Sequence, residues 1–140
     1  MGRRRQYFTL IELFLALGVL ALLGSLVLVK TRPLLDHYRF GQGVAQLRQE
    51  IDLTRRLSNA AHADMTLHVK QTEKGLLLRR ETDEPLAIPR TFDVSILIPH
   101  LMLKEKDLDL TFTGSGWMKE EHKFTVYFKN RSLTLELKNS

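Results

Sequence analysis

Apolar and polar positions follow three different rules along this chain, and each rule predicts a different element. From Phe8 to Val29 the sequence FTLIELFLALGVLALLGSLVLV is apolar or small almost throughout, with Glu12 as its one charge. At about 1.5 Å per residue the run makes a helix about 33 Å long, against roughly 30 Å of hydrocarbon in a bilayer. A helix is expected because a lone segment in lipid must satisfy its backbone polar groups within itself. From Val44 to Ala61 the pattern changes. Val44, Leu47, Ile51, Thr54, Leu57 and Ala61 recur at spacings of three and four, one face of an amphipathic helix. From Met65 the period drops to two, which predicts half-buried strands.

Proline and glycine punctuate these patterns. Pro33 is expected to end or kink the first helix, with irregular structure as far as Gly43. Met65, Leu67 and Val69 mark a strand whose hairpin partner, Leu76 to Arg80, follows a turn at Glu73, Lys74 and Gly75. Pro85 and Pro89 leave Leu86 to Ile88 as at most an edge strand, and Phe92 to Ile98 reads as a strand stopped by Pro99. Leu108 to Phe112 alternates, and Gly114, Ser115 and Gly116 form a loop before Trp117. Phe124, Val126 and Phe128 face Leu133, Leu135 and Leu137 across a turn at Asn130. The fold class is α+β: a long N-terminal helix packed on a β-rich antiparallel head. The expected divisions are a basic leader over 1–7, a membrane helix over 8–32, an amphipathic helix over 33–62 and the head over 63–140.

Charge orients the first element. Arg3, Arg4 and Arg5 precede the apolar run and place the N-terminus in the cytoplasm, with the remainder exported. Lys30 and Arg32 oppose them, two against three. A cleaved signal peptide is the competing reading, but such apolar cores span about 7 to 15 residues, and here Leu26 to Val29 continue past the small residues Ala21 to Ser25.

An acid inside a membrane helix costs on the order of 2.5 to 3.5 kcal/mol at its centre. With Phe8, Thr9, Leu10, Ile11 and Glu12 in this order after a basic leader, the stretch resembles the start of mature type IV pilins and type II secretion pseudopilins. The resemblance implies that a leader peptidase cuts between Tyr7 and Phe8 and that the new amine of Phe8 is methylated. It also implies that Glu12 pairs with the Phe8 amine of a neighbouring subunit in the fibre core. Tyr7 stands where the family's leader ends in glycine. Leu47, Arg48 and Arg55, followed by the small corner Ala60 and Ala61, look like the H-type minor pseudopilins.

The implied function is a non-enzymatic structural subunit in the bacterial inner membrane, with a periplasmic head, that supports type II protein export near the tip of a pseudopilus. Its implied partners are other pseudopilins, the prepilin peptidase, the inner-membrane assembly platform and membrane lipid. A minor pilin of a type IV pilus or DNA-uptake system, and an unrelated single-pass periplasmic binding module, are the alternatives.

Composition narrows the remaining choices. The net charge is +5, but from Lys30 onward 18 basic and 15 acidic residues leave +3 in mixed order. Nucleic acid is therefore not an expected partner, and Arg55, Arg56, Arg79 and Arg80 read as solvated faces. The absence of cysteine excludes disulfides and thiolate metal sites. His37, His62, His68, His100 and His122 lack metal-ligand spacing, and Asp107 and Asp109 alternate in a strand rather than lining a loop. The major pseudopilins bind calcium near their C-terminus, whereas this chain ends in a leucine-rich hairpin, so no metal is expected. There is no GxSxG motif, no Walker loop and no nucleophile set beside a base and its orienter, so no catalysis or cofactor is expected.

Overall fold

The structure, a computed structural model, describes residues 9–82 and 95–139. Helix α1 spans Leu10–Ala61 and is followed by strands β1 (Met65–Thr72), β2 (Gly75–Thr82), β3 (Ser95–Pro99), β4 (Met102–Leu103), β5 (Asp107–Phe112), β6 (His122–Phe128) and β7 (Arg131–Leu137). A long apolar helix followed by antiparallel sheets is a pilin-like architecture, and the fold is α+β as the sequence pattern predicts. The expected edge strand at Leu86 to Ile88, together with Phe92 to Val94, lies outside the described residues.

The chain forms two compact units, Met1–Asp36 and His37–Ser140. In the first, every residue from Thr9 to Lys30 is exposed. The helix is long and apolar enough to cross a membrane. Its interior hydroxyls bond to their own turn: Ser25 Oγ donates to the Leu22 carbonyl at 2.8 Å and Thr31 Oγ1 to the Leu28 carbonyl at 3.1 Å. Such local bonding suits a segment without water around it.

The break expected at Pro33 does not occur, because α1 runs unbroken through Pro33, Gly41 and Gly43. A proline removes one hydrogen bond and crowds one carbonyl, a local cost that a helix continuing for many turns on either side outweighs. Gly43 is buried against Ile98 and Leu101 rather than loosening the chain.

In the second unit, Phe40, Gly43, Val44, Leu47, Ile51, Thr54 and Ser58 form the buried stripe of α1. The stripe begins one turn earlier than the pattern suggests and ends on Ser58, with Leu57 and Ala61 only half-buried. At 3.6 residues per turn, a strict three-and-four count drifts off the contact line by its last turn.

The two sheets have the orders β3-β2-β1-β5 and β4-β6-β7. The hairpins β1–β2 and β6–β7 form as expected, with Thr72 opposite Gly75 and Phe128 opposite Arg131. The pairing of β1 with β5 and the short strand β4 add what alternation alone cannot reveal. One core unites the elements: Phe40, Val44, Leu47 and Ile51 pack with Leu67, Leu78, Leu110, Phe112, Phe124 and Val126.

The corner after α1 is closed by backbone bonds. The His62 N–H donates to the Asn59 carbonyl and the Ala63 N–H to the Ser58 carbonyl, with His62 in the left-handed region at φ 51°. This pair of bonds ends a helix while satisfying its last carbonyls.

Candidate functional site

Of the residues singled out at the head of the apolar helix, Thr9 to Glu12 are among the described residues, and Tyr7 and Phe8 lie outside them. Thr9 and Glu12 form a reciprocal cap. Thr9 N–H donates to Glu12 Oε2 at 3.2 Å, Thr9 Oγ1 donates to the same oxygen at 3.2 Å, and Glu12 N–H reaches Thr9 Oγ1 at 3.4 Å. A helix start leaves unsatisfied N–H groups and a partial positive charge, both of which a carboxylate at the third helical position offsets. The signal was available in the sequence, because a threonine three residues before a glutamate, heading an apolar run, is the pattern of a capping box. Leu10 and Ile11, between them, are each 74% exposed. The structure thus gives Glu12 a role within its own chain. The expected pairing with a neighbour's Phe8 needs a second chain.

The second polar group sits inside the head. Arg80 of β2 is 6% exposed, and its guanidinium bonds to Thr54 Oγ1 at 3.1 Å and to the carboxylate of Glu50, both on α1. The reading of Arg80 as part of a solvated face is therefore overturned. Arg80 lies opposite Leu67 on the core side of the sheet, so its charge must be met there, and Glu50 one turn before Thr54 supplies the partner. Arg55 also has a structural bond, from Nε to the Gly116 carbonyl at 2.9 Å. Among the described residues, no buried side-chain nitrogen or oxygen lacks a partner.

On the outer face of the larger sheet, His68 Nδ1 lies 2.6 Å from Asp109 Oδ1 and His68 Nε2 lies 3.2 Å from Glu81 Oε2. The three side chains tie β5, β1 and β2 together. Neither partner was legible beforehand, because the register between β1 and β5 brings Asp109 opposite His68 across 41 positions. The arrangement bonds three neighbouring strands of the sheet to one another.

At the end of α1, Asp64 accepts from the Gly114 N–H at 2.9 Å and pairs with Lys119 Nζ at 3.1 Å. The hydrogen bond and charge of Lys119, helped by the Gly114 amide, hold the Asp64 carboxyl below its usual range. A lowered folded-state pKa means that the unfolded chain binds the proton first. The stabilisation is therefore complete above the ordinary aspartate pKa of about 3.9 and fades as the pH falls through the lower folded value. Asp64→Asn is expected to flatten this acid limb of stability. Denaturant midpoints measured for both proteins from neutral to strongly acidic pH should converge at the acid end, and parallel curves would contradict the assignment.

No protein-family model matches this chain, and it has no match among curated proteins or solved structures.

Proposed function

We propose that this chain is a membrane-anchored structural subunit of a pilus-like fibre, of the minor pseudopilin kind that supports type II protein export. The observation that carries this reading is the exposed apolar helix with Glu12 at its head, followed by a separate antiparallel head. Among the described residues, the helix has no partner within its own unit for a surface this apolar. Burial in lipid and then among sibling helices meets that need.

In this reading the N-terminus faces the cytoplasm and the head the periplasm. A leader peptidase cuts before Phe8, and the methylated amine of Phe8 meets Glu12 of a neighbour on the assembly platform. A carboxylate within apolar surroundings is retained most readily where an opposite charge meets it, and the pair sets the register between helices. The subunit works by assembly, without catalysis or a cofactor.

Two substitutions separate pairing from capping. Glu12→Ala removes both functions, whereas Glu12→Gln keeps a side chain that can still cap the helix but carries no charge. Both variants are expected to lose copurification with pilin-like partners from membranes by at least about tenfold, a loss near 1.4 kcal/mol, while the head stays folded. Incorporation of Glu12→Gln at the wild-type level would refute charge pairing. Intact mass of the membrane-extracted chain checks the cut before Phe8, and retention of residues 1–7 would exclude it.

A further inference from the structure

Strand β7 forms one edge of the β4-β6-β7 sheet. In an antiparallel pair the backbone groups of successive residues point alternately toward and away from the partner strand. The two-residue turn between Phe128 and Arg131 sets that alternation. Lys104 N–H bonds to the Thr125 carbonyl, so Thr125 faces β4, and Thr134 opposite it faces the other way. Ser132, Thr134 and Glu136 therefore offer their amides and carbonyls along the outer edge of the sheet.

A groove of about 700 Å³ runs beside this edge, with Thr134 through Asn139 on one side and the flank of α1 from Arg48 to Arg55 on the other. Its floor includes Ile51, Phe112, Met118 and Leu135. Asn139 bonds to both the amide and the carbonyl of Met118, at 2.8 Å each, and fixes the end of the strand beside the groove. A smaller cleft of about 300 Å³ shares Asp52 and Arg55 with the groove and leads to Trp117, which is 49% exposed.

The charge along this surface is unequal. Arg56 meets Asp52, and Lys123 and Lys138 both meet Glu136. Arg48 has no ion-pair partner among the described residues, and Arg55 is bonded only to a carbonyl oxygen. The uncompensated charge is positive.

We propose that this groove takes an extended acidic segment of a partner protein, which adds as a strand beside β7. Main-chain bonds to Thr134 and Glu136 would supply affinity, and alternate apolar side chains would cover the floor. Acidic side chains would meet Arg48 and Arg55, with Trp117 as an aromatic anchor at the far end. This proposal does not depend on the fibre reading, since another kind of exported module would present the same edge.

The test uses the full chain in detergent micelles and a ten-residue synthetic peptide alternating valine and glutamate. A valine–lysine peptide and a valine–glutamate peptide N-methylated at alternate residues serve as comparisons. The acidic peptide is expected to bind at least about tenfold more tightly than either and to slow hydrogen exchange at Thr134 and Glu136. Arg48→Glu, an exposed substitution, should reverse the preference between acidic and basic peptides. Equal binding of the N-methylated peptide, or unchanged exchange in β7, would overturn strand addition. Association of two copies through β7 without peptide binding would overturn the choice of occupant.

Discussion

Arg80→Ala is expected to destabilise the head by about 3 to 5 kcal/mol, the range seen when one partner of a buried ion pair is removed. The loss arises from what remains. Glu50 would keep a carboxylate that is only 14% exposed, and Thr54 would lose its guanidinium partner. Since small domains have net stabilities of only about 5 to 15 kcal/mol, much of the head's stability is at stake. Urea unfolding of the full chain in micelles, followed through the fluorescence of Trp117, measures the change directly. The paired replacement Arg80→Met with Glu50→Leu should recover most of the loss, because it removes both charges and retains apolar volume. A single-variant loss below about 1 kcal/mol would show that Glu50 reaches water on its own.

Gly75→Ala is expected to cost about 3 kcal/mol, combining overpacking with a strained backbone. Gly75 has φ +140°, where side chains are disfavoured, and a Cβ there would fall 2.2 Å from the Ile98 carbonyl oxygen and 3.0 Å from Pro99 Cα. Both obstacles belong to the backbone of β3, so no rotamer change relieves them. The strand itself would have to move, and β2 pairs with β3 from Gly75 to Arg79. The same unfolding measurement, together with faster hydrogen exchange in β3, reports the effect. An unfolding midpoint equal to that of the wild type would mean that β3 yields without loss.

These two sites show where sequence reading succeeds and where it stops. Gly75 is recognisable as a turn residue from its place between two alternating runs, yet its neighbour Ile98 comes from a strand more than twenty positions later. Arg80 is charged and follows another arginine, which favours a solvated reading. Alternation with Leu76 and Leu78 along β2 puts Arg80 on the core face opposite Leu67, and only the packing of α1 on that face brings Glu50 to it. Thr9 and Glu12 are a different case, because their bond is local and their spacing announces it. Long-range pairings such as His68 with Asp109 leave no comparable trace in the order of residues.

By itself the sequence determined the parts whose physics is local. The apolar length from Phe8 to Val29, the helical stripe around Leu47, the alternation of β1 and the terminal hairpin all follow from period, length and turn chemistry. Tertiary structure alone decided the pairing of β1 with β5, the burial of Arg80 against Glu50, and the groove between β7 and the flank of α1. Those features depend on which distant surfaces meet. A residue's own neighbours fix its periodicity, whereas its burial and its partner are set by the element that packs across from it.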